Sequence, residues 1–110
     1  MYNRQLLKGS TETLLLSLIA RDPMYGYKLV KEMNSLSSGY FRFKEGTLYP
    51  ALHRLEREGL VEARWQQAPS GQQRRYYHIT DGGRRNLEVR HEEWRQFSRA
   101  VDRVIQLNGA

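Results

Sequence analysis

A chain of 110 residues makes one domain, near the size at which a partner subunit helps to bury surface. Its net charge of +6 and pI near 9.9 rest on fourteen arginines against four lysines; guanidinium pairs in bidentate fashion with phosphate and with guanine edges, so the bias favours a nucleic-acid partner over a merely solvated surface. The absence of cysteine excludes disulfides, thiolate metal sites and a cysteine nucleophile and fits the reducing cytoplasm, while the apolar run from Leu14 to Ala20 is too short for a membrane span and lacks the cleavage site of a signal peptide.

Residues 4–20 predict a first helix in which Leu6, Leu7, Leu14, Leu15, Leu16, Leu18 and Ile19 cover more than one face. A helix apolar on two sides has to be covered twice, once by the domain core and once at a subunit interface. Asp22 and Pro23 end it and start a second helix, Met24 to about Leu36, expected to bury Tyr25, Leu29, Val30 and Met33 and to expose Tyr27, Lys28 and Lys31. The Ser- and Gly-rich link from Asn34 to Phe43 reads as a turn whose aromatics, Tyr40, Phe41 and Phe43, plug the core; a stacking platform for bases is the alternative.

The stretch from Lys44 to Gly59, KEGTLYPALHRLEREG, organises the rest. Leu48, Ala51, Leu52 and Leu55 fall at steps of three and four, which puts them on one stripe of a helix. The opposite face carries Thr47, Tyr49, Pro50, His53, Arg54 and Arg57, the chemistry of a helix read against something polar and anionic. Pro50 fits only in a first turn or at a kink, so the helix either starts near Gly46 and Thr47 or bends there. Gly59 suits a left-handed C-terminal cap.

Alternating residues from Leu60 to Trp65 and from Arg74 to Ile79 predict two antiparallel strands joined by a polar loop around Gly71. Between Ala63 and Thr80 stand Arg64, Arg74 and Arg75 and no acid, as expected of a hairpin that lies along a phosphate backbone or in a minor groove. Trp65 is expected to anchor the base of this wing in the core, with Tyr76 and Tyr77 on opposite faces of their strand. Thr80 then caps a last helix running to roughly Leu107. Leu87, Trp94, Val101 and Asn108 recur at sevens, with Phe97 and Val104 between them, a seam that pairs one helix with another along its length and should be tightest from Trp94 onward.

The fold expected is therefore mainly helical with a small β-hairpin: a winged helix-turn-helix over residues 1–79 and a C-terminal dimerisation helix over residues 80–110. Leu7, Leu14, Leu87, Trp94, Phe97, Val101 and Val104 are the candidates for the dimer contact. The leading function is sequence-specific DNA binding, with Lys44, Arg74 and Arg75 on phosphates and Thr47, Tyr49, His53 and Arg54 towards base edges. A protein–protein assembly module would be expected to present a neutral or acidic recognition face, which this helix does not. An enzyme lacks support, since there is no phosphate-cradling glycine loop, no nucleophile–base pair and no metal spacing; His53, His78 and His91 stand too far apart. No cofactor and no metal are expected.

These pieces together resemble the PadR family of bacterial transcriptional regulators. The resemblance rests on Tyr25-Gly26-Tyr27-Lys28-Leu29, on Gly46-Thr47-Leu48-Tyr49-Pro50-Ala51-Leu52-His53-Arg54-Leu55-Glu56, on Glu58-Gly59-Leu60-Val61, and on Arg74-Arg75-Tyr76-Tyr77-His78-Ile79-Thr80 followed by Gly83, and spans about residues 8–87. The single C-terminal helix is similar to that of the family's shorter branch. The resemblance implies a homodimer on operator DNA, usually a repressor and often released by a small molecule, and by matching position it makes Tyr27, Lys28, Thr47, Tyr49, Pro50, Arg74 and Arg75 the expected DNA contacts. Relatives often have Ser-Pro before the glycine where this chain has Lys44-Glu45; Lys44 still reaches a phosphate, whereas Glu45 disfavours one unless it accepts from cytosine or serves as the helix-start anion. Several short-branch relatives hold planar, often cationic compounds against an aromatic of the last helix, which implies an effector site at Trp94 and Phe97. The alternative is that both are packing residues of the seam. The acids Glu92, Glu93 and Asp102 either favour a cationic guest or form the helix's solvated side. The expected location is the bacterial cytoplasm, on the nucleoid through DNA.

Overall fold

A computed structural model describes residues 10–105. Its order is α1 (Thr11–Arg21), β1 (Met24–Tyr25), α2 (Gly26–Leu36), α3 (Glu45–Arg57), β2 (Val61–Gln67), β3 (Gln73–Ile79) and α4 (Asp81–Ile105). The three strands form one antiparallel sheet in the order β1-β3-β2. Mainly helical architecture with a small sheet is what the sequence predicts.

The core lies where α1, α2 and α3 meet the base of the sheet, and Leu15, Leu16, Leu29, Leu48, Leu52, Leu55, Val61 and Tyr77 are its fully buried centre. Removing these side chains from water is the main force on the fold, about 1.5–3 kcal/mol for each large one. Leu15, Leu16, Leu18 and Ile19 of α1 are buried in this core, and Leu14 is partly buried against it. Leu6 and Leu7 lie outside the described residues.

Met24 and Tyr25, expected to begin a helix, are extended instead. They pair with Tyr77 and Tyr76 across the free edge of β3, so ladder hydrogen bonds and an edge-on Tyr25–Tyr76 contact at 5.3 Å outweigh local helix preference. Tyr25 is only half-buried as a result, and the helix starts at Gly26. Glycine leaves room there for the Tyr49 ring, whose hydroxyl would stand 2.6 Å from a Cβ and would have to shift.

In the link after α2, Phe43 is buried and Phe41 stacks on it at 6.2 Å, whereas Tyr40 stays largely exposed with its edge on Phe41. The plug is thus two rings, with a third outside. α3 begins at Glu45 with Lys44 in the capping position. Pro50 is therefore in the second turn, inside the helix, and it has no N–H to offer the carbonyl of Gly46. At the other end Leu60 N–H donates to Leu55 O at 2.9 Å and Gly59 N–H to Glu56 O at 3.0 Å, with Gly59 at φ 75°: the paired bonds and left-handed residue that end a helix sharply and turn it into β2.

The hairpin is longer than the alternation predicts, reaching Gln67 and starting again at Gln73. Its tip closes through Gly71 N–H to Ala68 O and Ala68 N–H to Gln72 O, both at 2.8 Å. Tyr77 is buried and Tyr76 half-exposed, as opposite faces require. Trp65, expected as a core anchor, is 71% exposed. It does alternate with Val61 and Ala63 on the inward face, but the core ends before its position is reached.

Thr80 caps α4 as expected: its hydroxyl accepts from Gly83 N–H at 2.9 Å and donates to Gly59 O at 2.7 Å, tying the start of α4 to the end of α3. A Cβ on Gly83 would lie 2.1 Å from the Leu60 carbonyl oxygen, so only glycine permits this approach. Leu87, which its spacing puts on the dimer seam, is buried in the chain's own core. Beyond it Val89, Trp94, Phe97, Val101, Val104 and Ile105 are all exposed.

Candidate nucleic-acid interface

Burial of Leu48, Ala51, Leu52 and Leu55 turns the other side of α3 outward, and Thr47, Pro50, His53, Arg54 and Arg57 are exposed there. Tyr49 sits at the edge of that face, half-buried. Its hydroxyl donates to Glu45 Oε2 at 3.0 Å over Gly26. Burial, reinforced by the Glu45 carboxylate, raises the phenol above its ordinary range and keeps it a donor. Glu45 is thus the helix-start anion and the partner of Tyr49 at once.

From β3, Arg74 places its guanidinium 5.5 Å from the Tyr25 ring, close enough to Tyr49 to be felt by its hydroxyl. The starts of α2, α3 and β3 therefore converge on one patch. Arg75 points to the other face of the strand, 2.9 Å from Glu56 of α3 and over the Tyr77 ring. Arg64 pairs with Glu62 of its own strand at 2.9 Å. On α2, Lys28 pairs with Glu32 at 3.4 Å and Lys31 lies over the ring of exposed Tyr27. Lys44 is exposed at the start of α3. These are surface pairs that water already weakens, and a phosphate can replace their carboxylates at small cost.

Arg54 is tied in a way the sequence does not suggest. Its Nε meets Glu12 Oε2 of α1 at 2.8 Å, and the other oxygen of Glu12 meets Arg90 of α4 at 3.3 Å. One carboxylate joins α3 to α4. No local spacing signals this, since the three residues are far apart in the chain. His78 bonds to Gln66; burial, then the nearby Arg64, lowers its pKa below the ordinary 6.5 and keeps the ring neutral.

A second site lies away from this surface. Leu14 and Ser17 of α1, Tyr40 and Phe41 of the link, and Val89, Arg90, Trp94 and Phe97 of α4 line an open groove of about 940 Å³. Trp94 and Phe97 stand 6.0 Å apart in it, and Ser17 Oγ lies 2.9 Å from His91 Nε2, a contact that ties α1 to α4. Among the described residues there is no cluster of ligands suited to a metal and no helix long and apolar enough to cross a membrane.

Comparison with known proteins agrees with this fold. The model of the transcriptional regulator PadR-like family matches residues 15–89. A crystal structure of a PadR-like transcriptional regulator from Bacillus cereus is 35% identical and superposes with a TM-score of 0.84, covering 93% of this chain and 97% of that one. A PadR family regulator from Eggerthella lenta is 33% identical, with a TM-score of 0.79 over 94% of this chain and 88% of that one. In Mycobacterium tuberculosis a transcriptional regulator is 33% identical over 98 residues, 89% of this chain and 88% of its own length. With a family match over most of the chain and relatives of equal length built on the same winged helix, the chain belongs to the PadR-like family of transcriptional regulators.

Proposed function

We propose that the chain acts in the cytoplasm as a homodimeric, sequence-specific DNA-binding repressor whose hold on operator DNA is weakened by a planar aromatic compound bound where the two copies meet. The observation that carries DNA reading is the division of α3 into a buried apolar stripe and an exposed face of Thr47, Pro50, His53, Arg54 and Arg57 beside a wing that has no acid from Ala63 to Thr80. Lys44, Arg74 and Arg75 take phosphates and fix the register. Thr47, Tyr49, His53 and Arg54 meet base edges, Pro50 shapes the helix that carries them, and Tyr27 and Lys28 approach the backbone from α2.

Dimerisation is supported by the apolar row on α4, from Val89 through Trp94, Phe97 and Val101 to Ile105, exposed in the single chain. A soluble helix does not carry such a row without a partner. A second copy covers it and sets two recognition helices about 34 Å apart, or a multiple of that, along the DNA. With Leu14, Trp94 and Phe97 in its wall, the groove offers a flat apolar guest an aromatic face. Such a guest weakens operator binding only by as much as it prefers the spacing that DNA does not accept. Arg90 lines the groove and shares Glu12 with Arg54, which supplies a physical route from guest to reading helix.

The test is selection of a duplex from a random-sequence pool, followed by salt titration of its binding. The expected result is a preferred sequence with dyad symmetry, a steep fall in affinity with salt, and a slope reduced by about one in Arg74→Ala. Equal binding of the selected and a scrambled duplex overturns sequence reading. Addition of a planar cationic dye should quench Trp94 and release the duplex; quenching without release overturns the coupling.

A further inference from the structure

Trp65 is the most exposed aromatic ring among the described residues, and it is neither in the core nor on the dimer row. Its position is defined by the ladder. Val61 pairs with Ile79, Ala63 with Tyr77, and Trp65 with Arg75, all on one face of the hairpin. The first two pairs lie under the core, as the burial of Val61 and Tyr77 shows. The third lies just past it: Glu56 of α3 reaches across to Arg75 at 2.9 Å, and nothing covers the indole opposite. Trp65 therefore stands on the side of the wing that faces the recognition helix, at the mouth of the cleft between them.

We propose that Trp65 is a DNA-contacting residue, its indole packed on deoxyribose faces of the strand that passes between the wing and α3, with Arg75 beside it on the phosphates. The inference rests on the DNA-binding reading above and adds to it an uncharged contact. Charge complementarity selects the occupant: from Ala63 to Thr80 the hairpin has arginines and no carboxylate, and Glu56, which reaches the neighbouring Arg75, is already paired with it, so the surroundings of the indole suit a polyanion. The sugar is the apolar part of a nucleic-acid backbone, and an indole laid on it excludes water without releasing a counterion. Affinity gained this way is independent of salt, unlike that from arginine.

This difference is the test. The duplex selected by the wild-type protein serves as probe, and the chain's two tryptophans make Trp94→Phe a variant in which Trp65 is the sole emitter. Saturation with the duplex should shield Trp65 from acrylamide, while poly-glutamate, which has the charge and lacks the sugar, should leave it accessible. Trp65→Ala should weaken duplex binding about tenfold at every salt concentration with the salt slope unchanged, and Trp65→Phe should recover most of the loss. The residue is exposed, so neither variant endangers the fold. Unchanged affinity in Trp65→Ala beside a reduced slope in Arg74→Ala overturns the Trp65 contact and leaves DNA binding standing. Equal shielding by poly-glutamate overturns the sugar contact. Absence of duplex binding by the wild-type protein overturns both.

Discussion

α3 and α4 solve the same problem in opposite ways. α3 has 13 residues and buries four of them, Leu48, Ala51, Leu52 and Leu55, so its apolar stripe is satisfied within the chain and its other face is polar. α4 has 25 residues and buries only Gly83 and Leu87, both near its start. The rest of its apolar row is left to the solvent or to a partner. A helix whose exposed face is polar is free to read a ligand, whereas one whose exposed face is apolar is incomplete until something covers it. α3 is finished by its own domain, whereas α4 leaves an apolar row exposed beyond Leu87.

This contrast can be broken at either helix. Leu52→Ala, at a fully buried position in α3, should cost about 2–5 kcal/mol in denaturant unfolding of the domain. The double change Val101→Asp with Val104→Asp should leave the secondary structure of the isolated chain in place. It should shift sedimentation to a monomer and weaken duplex binding by about two orders of magnitude, since each reading unit then binds alone. If that variant remains a dimer, the apolar row on α4 is not the interface.

The tie between the helices is a finer probe. Glu12→Gln removes the charge that holds Arg54 and Arg90, so it should tighten duplex binding about two- to fivefold by freeing Arg54 for DNA, in the range of an exposed ion pair. In an Arg54→Ala background the same change should have no effect on affinity. The smallest effect expected is at His78. Its folded pKa lies below the ordinary 6.5, so the unfolded chain takes up the proton first as pH falls. The stability due to the neutral ring is complete above about pH 6.5 and is lost as pH drops through the lowered folded value. His78→Gln, followed by thermal unfolding across that window, should flatten this part of the acid sensitivity.

The stripe on α3, the cap at Thr80 and the turn at Gly59 were legible because each depends on residues within one or two turns. Three to four residues of spacing, a hydroxyl three residues before a free N–H, and a glycine where φ is positive are local facts. The strand at Met24 and Tyr25 is not legible locally, because the partner that makes it one, β3, comes some fifty residues later. The exposure of Trp65 is not legible for a related reason. Alternation assigns a residue to a face of a strand but does not say how far along that face the core extends. For the site, the exposure of Thr47, His53 and Arg54 could be read from the helix period, whereas the attachment of Arg54 to Glu12 and of Tyr49 to Glu45 over Gly26 could not be read in full. The second pair is one helical turn apart and within reach of sequence reasoning; its packing on α2, and the whole of the first pair, are not.

By itself, then, the order of residues determined the four helices and the hairpin, the two-faced character of α3, the basicity of the wing and the exposed apolar row of α4, because those follow from periodicity and composition. Only the tertiary structure decided which ends of those elements meet. It placed Leu87 in the core and left Trp94 outside, drew Arg54 back to a carboxylate shared with α4, and stopped the core one residue pair short of Trp65. Those outcomes depend on the packing of segments distant in the chain, where burial and charge pairing are settled jointly rather than residue by residue.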